Sequence, residues 1–346
     1  MWDDVDILRA IFVQIDNQYL QVVARLPCPD MEVDISQDPS GQCPSLELGI
    51  PYTKFALQKT ESGTRLYIRL CHAQYDGMSL NLISEYLYAH TSQQKLPPVP
   101  RFSDYIRFVH EQQGATLHHW SSVLKGAQPQ LPTLPANTTP SSNVKVLRAS
   151  SVVRAPKPVT TDFNPSMLFT AASACAIADV AGLSDIVLGQ LSHGRSALPA
   201  LLQNTIGPCL NWVPVRLPFS DKRRVRMSEV LPTVKQQAVE SAQYDTSTFE
   251  NMLAACNEWP SQVEEVDVAI HFRSVFEMKD TSKKTPRIGF VAPPTLAAGT
   301  RSRSVFINVD PVGDDWNVEV LGSNALYTME YLQQVLDKVG EYLSST

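Results

Sequence analysis

Leu66-Tyr67-Ile68-Arg69-Leu70-Cys71-His72-Ala73-Gln74-Tyr75-Asp76-Gly77 is the stretch on which both the fold and the chemistry of this chain turn. Its first half alternates, with Leu66, Ile68 and Leu70 on one side and Tyr67, Arg69 and Cys71 on the other, which is the period of a β-strand. Beyond Gly77 the period lengthens, and Met78, Leu82, Ile83, Tyr86 and Leu87 share one side of a helix. His72 therefore stands where a strand gives way to a turn, and Asp76 and Gly77 close that turn. Imidazole is the side chain best suited to moving a proton near neutral pH. Asp76 adds a carboxylate and Gly77 a backbone free of side-chain restriction. A single histidine is more often a packed or solvated residue than a catalyst, so the weight falls on the whole string and its surroundings.

Those surroundings describe an ordinary globular chain. At 346 residues, 43% hydrophobic and 18% charged, it can bury one large core or two moderate ones. A net charge of −6 without a long basic run argues against nucleic acid as a partner. The amino terminus, Met1-Trp2-Asp3-Asp4-Val5-Asp6, is acidic where a signal peptide is basic. The longest apolar run, Met167 to Ala178, is too short for a membrane span and suits a buried helix. Six cysteines, at 28, 43, 71, 175, 209 and 256, show neither disulfide nor zinc spacing, as for reduced thiols in the cytoplasm.

Other chemistries find little support. There is no HExxH and no cysteine pair at metal spacing, so no metal site is expected. His118 and His119 point to different faces of one helix and make poor metal partners. No Gly-x-Ser-x-Gly elbow exists, since Gly194-Arg195-Ser196 runs on into Ala197-Leu198. Cys71 and His72 are neighbours in an extended segment, where side chains alternate, so a cysteine–histidine dyad is not expected.

Along the chain, the segment from Val5 reads as a helix end running into a strand, Ile7 to Phe12, followed after an Asp16-Asn17 turn by Tyr19 to Val23. Residues 28 to 50 read as loop. Leu46 to Leu57 and Arg65 to Cys71 read as strands separated by Thr60-Glu61-Ser62-Gly63. The helix after Gly77 is expected to end near His90, and Pro97, Pro98 and Pro100 stiffen the connection that follows. Helical pattern opens at Phe102, with Ser103 as a cap, and resumes from Leu117 to Leu124. Gly126 to Ser151, rich in Pro, Thr and Ser, marks a passage between two lobes, residues 1–150 and 151–346. The second lobe reads as a helix from Pro165 to Ala181, a strand at Ile186 to Gly189, and a loop holding His193, Gly194 and Arg195. A strand with a bent approach then carries Asn211, because Pro208 and Pro214 disfavour a regular central strand. Asn211 offers a donor and an acceptor, suited to an amide of a ligand or to bonds within its own turn. A helix over Met227 to Tyr244, strands at Asp267 to Phe272, Ser304 to Val309 and Trp316 to Val320, and a helix over Met329 to Leu343 complete the chain. Lys283, Lys284, Arg287, Arg301 and Arg303 lie in a loop between, read as solvated, with contact to an acidic partner or its phosphate as the alternative.

His72-x-x-x-Asp76-Gly77 resembles the active-site motif of the chloramphenicol-acetyltransferase-like acyltransferases, and in particular of the condensation domains of nonribosomal peptide synthetases. Those domains usually carry two histidines in a row, and Cys71 takes the place of the first. The string Cys71-His-Ala-x-Tyr75-Asp-Gly looks most like the Ser-His-Ala-x-Tyr-Asp-Gly variant of fungal terminal condensation-like domains. Leu8-Arg9-Ala10-Ile11-Phe12, His119-Trp120, Gly194-Arg195 and the segment from Gly207 to Arg216 resemble further family motifs, in the family's order. The family has a helix and a strand ahead of the first of these, so an amino-terminal piece of the first lobe is expected to be missing here, leaving an exposed sheet edge.

The resemblance implies an α/β fold of two chloramphenicol-acetyltransferase-like lobes in a V, with the active site in the cleft between them. It implies that His72 takes the proton from an attacking amine, or positions that amine and stabilises the charged tetrahedral intermediate, that Asp76 anchors the loop by pairing with Arg9, and that Gly77 belongs to the same catalytic turn. Arg9 and Cys71 would support the site, and Asn211 and Tyr75 would bind substrate. The implied reaction releases a carrier-bound peptidyl thioester by intramolecular amide formation, which is macrocyclisation. Intermolecular condensation, a freestanding acyltransferase of the same fold, and a non-catalytic carrier-docking module are the alternatives. No cofactor is expected on the chain itself; a peptidyl carrier domain supplies the phosphopantetheine arm. The chain is expected to act as a monomer, with neither nucleic acid nor membrane as partner.

Overall fold

The computed structural model describes residues 1–16, 18–25, 27–30, 32, 47–61, 63–95, 98–127, 145–154, 162–219, 226–256, 268–273 and 305–345. The basic loop from Lys283 to Arg303 lies outside them, as does most of the passage after Gly126. The described chain forms two compact units, the first of residues 1–108 and 198–209, the second of the remainder. This departs from the expected division at residue 150. From Val109 on, the helix of residues 102–123 belongs to the second unit, whereas the segment 198–209 from the middle of the chain belongs to the first.

The first unit opens with a 3-10 turn, Asp6–Arg9, so the helix end read from Val5 extends further than expected and the strand starts at Ala10 rather than Ile7. Strand β1, Ala10–Ile15, then pairs antiparallel with β2, Gln18–Val23, Ile15 facing Gln18 across a two-residue turn. Asp16 takes a φ of +48° in that turn, a left-handed backbone that Asp tolerates better than most residues. Strand β3, Lys54–Thr60, pairs with β4, Gly63–Arg69. It starts later than the expected Leu46. Helix α1, Gly77–Thr91, follows the turn that carries His72. Helix α2, Phe102–Val123, is continuous across the two helical stretches read from the sequence and ends where that pattern stops at Leu124. Its first residue is held by Asp6, whose Oδ1 accepts from the Phe102 N–H at 3.0 Å.

The second unit is built on a six-stranded mixed sheet in the order β5-β10-β9-β8-β6-β7. Its strands are β5, Val146–Arg154; β6, Asp185–Ser192; β7, Asn211–Pro218; β8, Val268–Phe272; β9, Val305–Val312; and β10, Asp315–Ser323. Strands β6, β8 and β9 run parallel, and the other pairs are antiparallel. Strand β5 begins inside the stretch read from sequence as a linker and runs past its end at Ser151. Pro214 is accommodated because β7 is the edge strand, bonded on one side to β6 with Gly189 opposite, so its missing N–H breaks no second ladder.

Helix α3, Pro165–Ala181, matches its sequence reading, with Asn164 capping its start and Gly182, at φ +67°, ending it. It is buried on every face between Leu168 and Ala178, because it packs against the sheet and against α4, Met227–Ser241, and α6, Met329–Ser344. Small side chains, Ala171, Ala172, Ala174 and Ala176, let these elements approach closely. Helix α6 turns one stripe inward, Leu332, Val335, Leu336, Val339 and Leu343. Val187, Ala269 and Phe306 alternate with the core residues of their strands. They meet Leu124 and residues Phe249 and Leu253 of the short helix α5, Phe249–Ala254.

Candidate active site

Strand β4 ends at Arg69, and a single 3-10 turn, His72–Gln74, precedes α1. The turn is fixed from beneath by Gln74, which is wholly buried. Gln74 Oε1 accepts from the Cys71 N–H at 3.1 Å, and the Cys71 side chain accepts from the Gln74 N–H. This is a capping box in which a thiol replaces the usual hydroxyl. Gln74 Nε2 donates to the Ile7 carbonyl and to Thr53 Oγ1, each at 3.0 Å. One side chain thus ties the turn to the first 3-10 segment and to the approach of β3. Gln21 on β2 adds a bond to the Ala73 carbonyl at 3.3 Å.

His72 lies on the exposed side of this turn. Its Nδ1 is 2.9 Å from the Tyr75 carbonyl oxygen. A carbonyl can only accept, so Nδ1 carries the proton and Nε2 of the neutral ring is left with its lone pair. The ring also stacks on Tyr75, centroids 4.7 Å apart and planes 6° from parallel. Burial raises the Tyr75 phenol above its ordinary pKa, so the stacking partner stays neutral under ordinary conditions. Cys71 makes no hydrogen bond with His72; its sulfur is engaged by Gln74.

Asp76 is 2% exposed and caps α1. Its Oδ1 accepts from the Ser79 N–H at 2.8 Å and lies 2.8 Å from Ser79 Oγ. Its Oδ2 accepts from the Cys209 N–H at 2.9 Å. Ser79 Oγ in turn accepts from the Gly207 N–H at 2.9 Å and lies 2.8 Å from the Gly207 carbonyl. Gly77, the first residue of α1, follows directly. The expected pair of Arg9 and Asp76 is not formed. Arg9 donates to the carbonyls of Trp2 and Asp3, because the 3-10 turn ending at Arg9 sends its side chain back over the amino-terminal segment. The loop is anchored instead by backbone N–H groups of a segment far away in sequence. Gly207 is required there: its φ is +155°, and an added Cβ would lie 2.2 Å from a ring carbon of Phe102.

Asn211 belongs to the second unit, at the first position of β7. Its Nδ2 donates to Asp245 Oδ1 at 2.8 Å and to the Ser247 carbonyl at 2.6 Å, so it bonds to neither its own turn nor its own strand. Asp245 Oδ2 accepts from Ser192 Oγ. Burial pushes the Asp245 carboxyl up to about 6, against the opposing effect of bonds from Ser192, Asn211 and the Gly194 backbone. Arg216, the last motif residue, holds Asp185 through Nε and Nη2 and donates to the Val123 carbonyl at 3.2 Å, a structural clamp. His119 stacks on Tyr244 and contacts Ser241; burial lowers its pKa. His193 Nδ1 accepts from the Arg195 N–H, as a loop residue would.

Gln74, Ser79, Thr53 and Asp245 were not singled out from sequence. The first had a signal, since Cys71-x-x-Gln74 has the spacing of a capping box. Thr53 and Asp245 had none, because their partners are distant in the chain. Among the described residues no group of His, Cys, Asp and Glu could hold a metal ion, and no helix is long and apolar enough to cross a membrane.

A family model for the condensation domain matches residues 2–346. The nonribosomal peptide synthetase ungA' of Aspergillus campestris is 32% identical over 362 residues, covering 98% of this chain and 4% of that protein. The bassianolide nonribosomal cyclodepsipeptide synthetase of Beauveria bassiana is 26% identical, covering 97% of this chain and 11% of its own length. The chain thus spans a small fraction of the curated relatives it matches. Among solved structures, one called CT has a TM-score of 0.77 at 18% identity over 99% of this chain and 81% of its own. The condensation domain from the monacolin K polyketide synthase MokA has a TM-score of 0.71 at 17% identity, over 99% and 86%.

Proposed function

This chain belongs to the condensation-domain family and has its chloramphenicol-acetyltransferase-like α/β fold, and we propose that it releases a peptidyl thioester from a carrier domain by forming an amide within the peptide. The observation that carries this reading is the tautomer of His72. With Nδ1 donating to the Tyr75 carbonyl, Nε2 is the acceptor offered to an incoming nucleophile. The proton of an attacking amine passes to Nε2 as nitrogen bonds to the thioester carbon. The carbon–sulfur bond then breaks, and the thiol of the phosphopantetheine arm leaves with that proton. Base assistance of this kind supplies ~10²–10⁴-fold, or roughly 3–5 kcal/mol of barrier. Asp76 and Gln74 keep the turn in place without taking part in proton transfer. The arm is substrate tethered to the partner rather than a resident cofactor.

Cyclisation, rather than joining of two carriers' chains, is favoured by the string from Cys71 to Gly77 and by relatives that include a synthetase named for a cyclodepsipeptide. Single-turnover release from a peptidyl-loaded carrier, followed by mass spectrometry, tests both parts. A cyclic product from the wild type, reduced at least a hundredfold in His72→Ala, is expected. A linear amide formed only with added amine would replace cyclisation by intermolecular condensation. Equal rates for the two proteins would remove His72 as the base.

A further inference from the structure

We propose that Asp245 is a positioning residue that turns Asn211 into a dedicated hydrogen-bond acceptor for an amide N–H of the substrate. The inference rests on the reading that Asn211 meets substrate, and it narrows what Asn211 can do there. Both neighbours of the Asn211 amide are acceptors: Asp245 Oδ1 at 2.8 Å and the Ser247 carbonyl at 2.6 Å. Neither can donate while Asp245 is ionised, so the nitrogen of Asn211 must face them, and both of its N–H bonds are consumed. Oδ1 then points away from this pair and has no partner among the described residues. A ligand that reaches Asn211 meets an oxygen.

Asp245 is itself held. It is buried, Ser192 Oγ donates to its second oxygen, and the Gly194 N–H lies 3.2 Å from the same hydroxyl. The carboxylate therefore cannot swing aside to release the amide. Ser247, buried two residues along the chain, has its carbonyl on Asn211 while its hydroxyl has no partner among the described residues. Acyl and peptidyl groups on a phosphopantetheine arm offer secondary amides at two places, in the arm and in the peptide. Both present the N–H that such an oxygen takes.

The test measures binding, so it does not depend on turnover. The probe is a dialanyl pantetheine thioether, which cannot be cleaved, and a set of analogues in which one amide N–H at a time is replaced by an ester oxygen. At pH 8, where Asp245 is ionised, one analogue is expected to bind roughly tenfold more weakly to the wild type, the loss of one neutral hydrogen bond. Whether that analogue carries the ester in the arm or in the peptide identifies the source of the N–H. Asp245→Ala leaves only the Ser247 carbonyl to orient the amide and should bring parent and ester to within about threefold of each other. Asp245→Asn keeps an acceptor toward Asn211 and should restore the tenfold difference. Asn211→Ala should abolish it, which tests the oxygen itself if Asp245→Ala does not fold. Equal binding of all analogues by the wild type, no binding at millimolar concentration, or an undiminished penalty in Asp245→Ala or Asn211→Ala would overturn the assignment. A protein that shows the penalty yet leaves a thioester intact would lose the catalytic reading and keep this one.

Discussion

At the scale of single residues, the His72 turn depends on side chains buried beneath it. Gln74 is the clearest case, since it satisfies the Cys71 N–H, the Ile7 carbonyl and Thr53 together while wholly buried. Gln74→Ala should cost about 2–4 kcal/mol, from unmet buried partners, and should lower kcat by more than it raises KM, because the His72 turn loosens. Denaturant unfolding and steady-state release together check this; a variant with unchanged kcat would show that the turn holds itself. Asp245 carries a pH signature. Its folded value near 6 lies above the ordinary 3.8, so the folded chain holds that proton more tightly than the unfolded chain does. Its contribution to stability is full below about pH 4 and is lost as pH rises through about 6, a change on the order of 3 kcal/mol. Asp245→Asn cannot ionise, so its stability relative to wild type should rise between pH 5 and pH 7.5 in paired urea titrations. A pH-independent difference would mean that the buried carboxyl titrates normally.

At the scale of elements, two motifs far apart in sequence form one joint. The start of α1 offers the Asp76 carboxylate and the Ser79 hydroxyl, and the 207–209 segment offers backbone N–H groups to both. The joint closes only because Gly207 lets the chain pass against the Phe102 ring. Gly207→Ala should destabilise by roughly 3–5 kcal/mol, combining backbone strain with overpacking. In a Phe102→Ala background the same substitution should cost clearly less, since the ring is gone and only strain remains. Strictly additive costs in that double-variant cycle would mean that Phe102 is not what Gly207 avoids.

For the whole molecule, the division into units differs from the order of the chain. Residues 198–209 complete the first unit, and Trp120 on the end of α2 is buried in the second, with its indole N–H on the Tyr244 carbonyl. A fragment of residues 1–150 would therefore keep the His72 string yet lose the Cys209 N–H bonded to Asp76 and the cover over Trp120. Such a fragment should show no cooperative unfolding and poor dispersion in amide NMR spectra. If it folded cooperatively, the placement of the 198–209 segment would be unnecessary to the first unit.

The sequence by itself determined the elements with strong local signals. Helix α3 was legible to the residue, because Asn164, Pro165 and Gly182 are local start and stop chemistry. The turn at His72 was legible because the period changes from two to 3.6 within a few residues. The order of motifs determined the family. Strand β5 was hidden inside a proline-rich stretch, since its meaning comes from pairing with β10, 160 and more residues later. The partner of Asp76 was misassigned to Arg9 because charge complementarity is visible in sequence, whereas a backbone N–H brought from residue 209 is not. Tertiary structure alone decided which nitrogen of His72 is free and which end of the Asn211 amide is spent. Both depend on carbonyl oxygens whose positions only the folded backbone sets.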